Sequence, residues 1–211
     1  MLQEIPMKTI LFFLTVLILN CRSAESRADF YNSNSEAEKH KPAKVLETLK
    51  IKASDSVADI GSGGGYYVLK FAETAKTVYA VDVDAELLSV IKKRAEAAGR
   101  KNIVTVNAME KNSGLPDASV DLIFSRDSFH HLPDQVEYFS GLKKAMKPSG
   151  RVAIIDYKKN AGLYLRFFNH YTEPEEILSK MEKAGFVLQE KFDFIEDQSF
   201  FIFVPASVIK K

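Results

Sequence analysis

Asp59-Ile60-Gly61-Ser62-Gly63-Gly64-Gly65 is the stretch that decides the architecture of this chain. It is the end of Ser56-Val57-Ala58-Asp59-Ile60, a short apolar run stopped by Gly61, which is the pattern of a buried strand. Four glycines in the next five positions let the backbone turn sharply and let a ligand come close to it. Residues 66–75 then read as a helix whose first turn carries unpaired N–H groups. Strand, glycine turn and helix in this order make a loop able to cradle a polar ligand.

Strands and helices alternate outward from that loop. Residues 77–82 read as a second strand. Residues 84–98 are the clearest helix, with Leu87, Leu88, Ile91 and Ala95 on one face, Asp84 as N-cap and Gly99 past the end. Strands are expected at 103–106, 120–124 and 151–156. A helix over 135–146 is expected to stop at the turn Lys147-Pro148-Ser149-Gly150. Thr172 and Pro174 open a helix over 173–184 that ends at Gly185, and 187–192 with 200–204 read as an antiparallel strand pair. Upstream, Pro42 starts a helix carrying Val45, Leu46 and Leu49. This alternation predicts an α/β, doubly wound and mostly parallel sheet, which binds its ligand outside the carboxyl ends of the strands. Neither an internal repeat nor a second domain is visible.

Composition narrows the classes. Among 211 residues, 46% are hydrophobic and 27% charged, a globular profile. Twenty-nine basic and 28 acidic side chains give a net charge of +1, so no charge excess argues for nucleic acid or an anionic membrane as partner. Cys21 is the single cysteine, and with only four histidines the chain shows no spaced metal-ligand set; no metal is expected. Oligomeric state is not legible.

The N-terminus reads as a targeting segment. Met7-Lys8 precedes a run over 10–19 in which Thr15 is the one polar residue, about half the length of a membrane span. Residues 1–24 are therefore a signal peptide or lipoprotein signal or anchor. Ile18-Leu19-Asn20-Cys21 resembles a loose lipoprotein box, ordinary cleavage near Ser23 or Ala24 is a second reading, and an uncleaved anchor a third. Each places the protein at a bacterial cell envelope, exported or membrane-anchored, or at the cytoplasmic face of the inner membrane. Residues 25–41 are rich in Ser, Asn, Glu and Lys without apolar period and read as a linker arm, although Tyr31 and His40 could fold over a pocket. The folded domain is expected over 42–211.

The loop's ligand can be narrowed. A dinucleotide fingerprint wants glycine or alanine where Tyr66 stands, and Asp59 favours a cation over a phosphate. This disfavours an NAD-linked oxidoreductase. Asp59-x-Gly61-x-Gly63-x-Gly65 resembles the first motif of class I S-adenosylmethionine-dependent methyltransferases, whose cofactor carries a sulfonium and an ammonium. Leu115-Pro116-Asp117-Ala118-Ser119-Val120-Asp121, Phe129-His130-His131-Leu132, Lys147-Pro148-Ser149-Gly150-Arg151 and Ala184-Gly185-Phe186 resemble later stretches of the family, here its methyltransferase type 11 branch, as does Asp156-Tyr157-Lys158-Lys159. The resemblance covers 45–204. It implies a Rossmann-like sheet of seven strands with the last one antiparallel.

It also implies residues. Asp59, Gly61, Ser62, Gly63 and Gly65 would hold the amino-acid part of S-adenosyl-L-methionine, Asp82 both ribose hydroxyls, and Val83 the adenine, with Ala108, Met109 and Ser125 nearby. Many relatives have Cys or Ala where Ser62 stands, and an acidic adenine contact where this chain has Asn107-Ala108-Met109-Glu110, so Asn107 or Glu110 would substitute. Methyl transfer from a sulfonium needs alignment and exclusion of water more than a base. Asp127, His130 and His131 are the candidate catalytic residues. As chain neighbours, the two histidines are expected to point apart, one inward and one packing. Tyr157 and His170 are substrate candidates. Residues 163–168 with Tyr171 form an apolar-aromatic patch, a lid or ordinary packing. A small-molecule methyl acceptor is the expected partner; the alternative is a non-catalytic envelope-associated binding protein that keeps the fold.

Overall fold

The computed structural model describes residues 23–209. Cys21 and all but the last two residues of the expected targeting segment lie outside them. No helix among the described residues is long and apolar enough to cross a membrane.

Seven strands form one sheet in the order β3-β2-β1-β4-β5-β7-β6. They are β1 (Ser56–Ile60), β2 (Thr77–Asp82), β3 (Ile103–Asn107), β4 (Val120–Arg126), β5 (Met146–Tyr157), β6 (Phe186–Phe192) and β7 (Gln198–Pro205). β1 to β5 pair parallel, and β7 runs antiparallel to both β5 and β6. The order reverses beside β1, the switch point at which sheets of this type open a crevice.

Two-residue alternation along the central strands feeds two cores. Leu122 and Phe124 of β4, Ala153 and Ile155 of β5, and Phe200 and Ile202 of β7 face one layer. That layer is formed by α2 (Pro42–Leu49), α3 (Tyr66–Phe71) and α4 (Ala85–Ala97). Ile123, Val152, Ile154, Phe201 and Phe203 face α5 (Gln135–Leu142) and α7 (Pro174–Lys183) on the other side. Burial on both faces is why β1 reads as an unbroken apolar run.

Several expectations need correction. Residues 25–41 are not a linker: α1 (Ala24–Glu36) and a 3₁₀ turn (Glu38–His40) occupy most of that stretch. The Ser23 hydroxyl caps α1 by accepting the Ser26 N–H at 3.2 Å. α1 has no apolar stripe and fully buries only Ala28. It is held to α4 by a small apolar contact, Ala24 and Ala28 with Leu87 and Val90, and by charge: Arg27 to Asp84 and Glu86 at 3.3 and 2.6 Å, Glu25 to Lys93 at 3.6 Å, and Asp29 to Arg94. The domain thus begins before Pro42.

The helix expected over 135–146 ends at Leu142, and Lys147-Pro148-Ser149-Gly150 is a bulge inside β5, between the Val120↔Met146 and Leu122↔Arg151 pairings. The helix expected over 66–75 ends at Phe71. Thr172 does not cap α7: its hydroxyl donates to Asp156 at 2.8 Å, and Glu173 stands at the cap without a side-chain bond. The apolar-aromatic patch forms the short helix α6 (Leu163–Phe167) and largely stays exposed, with Leu163 and Tyr164 at 85% and 55%.

Candidate functional site

A cavity of about 560 Å³ opens at the carboxyl ends of β1, β2 and β4, a volume suited to a cofactor-sized ligand. Asp59, Gly61, Ser62, Gly63, Asp82, Val83, Ala108, Met109, Asp127 and His131 all line it, as the sequence suggests.

The glycine loop differs from the sequence expectation in one chemical respect. Most of its N–H groups are already spent. Those of Gly61 and Ser62 donate to the Val81 carbonyl at 2.8 and 3.1 Å, and that of Gly65 to the Ser62 carbonyl at 2.9 Å. Gly63 N–H donates to the Asp82 carboxylate at 2.9 Å, and Tyr66 N–H to the Asn32 side chain of α1 at 3.1 Å. A phosphate would need such donors free. The loop and its surroundings instead present carboxylates, which suit a cation.

Those carboxylates are electrostatically loaded. Burial first, and the nearby Asp82 charge second, push Asp59 up to about 8 against the pull of Arg126. Burial also raises Asp82, while the N–H groups of Asp84 and Gly63 oppose the shift. A positive ligand between them would relieve a desolvated, like-charged pair. The Ser62 hydroxyl beside them is buried without a hydrogen-bond partner, a polar atom suited to a ligand.

At the other end of the cavity, Val83 and Met109 are 62% and 74% exposed, an apolar pair at the rim that would sandwich a flat ring. Asn107 is not among the residues lining the cavity; its amide NH2 donates to the Asp82 and Val83 carbonyls at 3.2 and 3.0 Å. Glu110 lines the cavity. Two buried carboxylates, an unpartnered hydroxyl and an apolar rim fit the charge and shape of S-adenosylmethionine.

Five expected site residues lie outside the cavity wall. Gly65 is a packing glycine: a Cβ there would stand 2.7 Å from Ile91. Ser125 is fully buried in β4, with its hydroxyl 3.4 Å from that of Ser128. Tyr157 is turned under α1, where its hydroxyl donates to Asn34 at 3.2 Å and lies 3.3 Å from His40. His130 is pinned by Asp156, Nδ1 to Oδ1 at 2.7 Å. His170 stacks on His130 with ring centres 5.5 Å apart. Nor do His130 and His131 point apart. A 3₁₀ turn (Phe129–His131) carries both, and their rings sit 4.1 Å from each other.

α1 supplies what sequence reasoning missed. Tyr31, Asn32, Asn34 and Ser35 line the cavity, and Tyr31 lies over Gly63. Asn34 donates to Asp127 at 3.3 Å, and Ser35 accepts from Arg126 at 3.0 Å. Arg126 pairs with Asp127 at 3.3 Å, and Gln198 donates to the other Asp127 oxygen. Burial lifts Asp127 to about 6, with Arg126 pulling down and Asp156 pushing up. Its φ of 54° is a strained conformation of the kind that concentrates at functional sites. Desolvation, then His130 and His170, hold His131 down to about 4.

Comparison with known proteins agrees with this geometry. Residues 58–154 match the family described as Methyltransferase domain. The chain is 27% identical over 127 residues to the uncharacterized methyltransferase YcgJ of Bacillus subtilis, covering 60% of this chain and 50% of that protein. It is 31% identical over 135 residues to phosphoethanolamine N-methyltransferase 1 of Zea mays, covering 64% of this chain and 26% of that one. The chain thus matches half or less of the length of these curated relatives. Among solved structures, a SAM-dependent methyltransferase from Aquifex aeolicus superposes with a TM-score of 0.75 at 26% identity, over 84% of this chain and 97% of that one. Motif order, sheet topology and these matches together support a class I S-adenosylmethionine-dependent methyltransferase.

Proposed function

We propose that this protein transfers the methyl group of S-adenosylmethionine to a small polar acceptor at the Arg126–Asp127 end of the cavity. The observation that carries the reading is the cavity floor, where Asp59 and Asp82 stand beside a loop most of whose own donors are consumed. The cofactor brings an already activated methyl group, so the chain's work is alignment and dryness. Tyr31 and Asn32 of α1 cover the glycine loop and exclude water from it. Arg126 and Asp127 offer an acceptor one fixed cation and one carboxylate. Asp127, lifted to about 6, is nearer neutrality than an ordinary carboxylate and suits it to take a proton from an amine or hydroxyl acceptor. An envelope location belongs to the same proposal and rests on the apolar run over 10–19 and Cys21.

Calorimetric titration with S-adenosylmethionine tests the reading. One molecule is expected per chain, with a proton released at pH 7. Asp59, at about 8, is mostly protonated there, and a bound cation drives it to ionise. Affinity should therefore rise with pH up to about 8 and level off above, as heats in buffers of different ionisation enthalpy will reveal. Absence of heat at millimolar cofactor would remove the proposal. Binding without proton release would remove Asp59 from it.

Asp82→Ala is expected to weaken cofactor binding by about 1.5–3 kcal/mol, the range for hydrogen bonds to a charged group. Unchanged affinity in the same titration would show that Asp82 does not hold the ribose.

A further inference from the structure

We propose that His130, His131 and His170 form a binding site for a divalent transition-metal ion of the zinc class, beside the acceptor end of the cavity. Spacing along the chain gives no hint of it, since 39 positions separate His131 from His170. The fold brings the three together: one ligand nitrogen from each lies within 4.8 Å of the others. Their rings pack at 4.1, 5.0 and 5.5 Å between centres. Around zinc, with metal–nitrogen bonds of ~2.0–2.1 Å in a tetrahedron, donor atoms stand about 3.4 Å apart. Closing that gap takes small side-chain rotations, which an exposed His131 and a half-buried His170 can make.

The support behind the cluster is of the kind metal sites use. Asp156, fully buried, accepts from His130 Nδ1 at 2.7 Å, from the Thr172 hydroxyl at 2.8 Å and from the Tyr157 N–H at 3.1 Å. A carboxylate so fixed holds His130 as the Nδ1–H tautomer and leaves the Nε2 lone pair for an ion. Among the described residues, no hydrogen bond reaches the side chains of His131 or His170, so their lone pairs are unspent. Three imidazoles without a carboxylate favour zinc, cobalt, nickel or copper over magnesium or calcium. Three protein ligands also leave a coordination position open, as in sites that bind substrate rather than brace a fold. His131 is itself a wall of the cavity, so an ion held there would present its open position near an incoming acceptor.

The test uses the full chain, stripped with a chelator and titrated with zinc chloride by calorimetry and with cobalt(II) by visible absorption. One ion per chain is expected, with the d–d bands of a low-symmetry cobalt site. His131→Ala and His170→Ala should each weaken zinc by about tenfold or more, and Asp156→Asn by about 10–100-fold. Cys21→Ser should leave the affinity unchanged. His131 is exposed, so its variant is expected to melt like the parent without metal and to lose only the metal-induced rise in Tm. No binding up to millimolar zinc overturns the proposal. So does parental affinity in both histidine variants, affinity lost in Cys21→Ser, or a preference for magnesium. The readout is the ion alone, so its failure leaves the methyl-transfer reading standing, and the reverse holds too.

Discussion

Gly61→Ala is expected to abolish detectable cofactor binding and to destabilise the fold by about 2–6 kcal/mol. Two costs add. Gly61 sits at φ 72°, a conformation that costs a residue with a side chain about 1–3 kcal/mol. A Cβ there would also stand 2.5 Å from the Ser128 hydroxyl oxygen and 2.6 Å from its Cβ. Ser128 cannot simply swing away: its hydroxyl lies 2.9 Å from the Ile60 carbonyl and 3.0 Å from that of Arg126, tying the ends of β1 and β4 together. Overpacking of this kind costs about 1–3 kcal/mol more. The loop must therefore shift, and Asp59 and Gly63 shift with it. Chemical denaturation and cofactor titration of the variant will measure both parts. Parental stability with parental affinity would mean that the turn tolerates a side chain and that the cavity floor is less constrained than the contacts indicate.

Phe124→Ala should cost about 3–5 kcal/mol, the usual range for truncating a buried phenylalanine. Phe124 is fully buried in β4, with its ring 4.8 Å from that of Tyr67 and 5.2 Å, edge-on, from that of Phe71. Its strand neighbour across the β1 pairing is Asp59, and two residues later comes Arg126. The space left would lie directly beneath the cavity. For a domain of this size the loss corresponds to a fall in Tm of about 6–20 °C. Calorimetric melting will measure it. A fall under about 3 °C would show that α3 closes down on the sheet and that the aromatic cluster is loosely packed.

How much of this was readable from the chain depends on the range of the interaction. β1, β2 and the Asp84-capped helix were legible because each is specified by its own few residues: an apolar run, a glycine stop, a capping carboxylate whose oxygen accepts from Glu86 and Leu87 N–H at 2.9 and 3.2 Å. Asp82 was legible for the same reason, since it stands at the end of a strand and its place follows from the strand. α1 was not. Its helical state rests on Arg27, Asp29 and Glu25 meeting α4 some 60 residues away, and a polar stretch without apolar period gives no local sign of that. Thr172 illustrates the same competition at one residue: a good cap by type, it is drawn to buried Asp156 instead. The histidines stood out singly as site candidates, but their meeting was not legible, because His170 reaches His130 only through the return of the chain after β5.

The joint between α1 and α4 is made mostly of charge, around one small apolar contact of Ala24 and Ala28 with Leu87 and Val90. Exposed ion pairs of the kind Arg27 and Arg94 make are worth up to about 1 kcal/mol each and weaken with salt. Salt therefore loosens the cover over the glycine loop sooner than it touches the aromatic floor beneath, whose contacts carry no charge to screen.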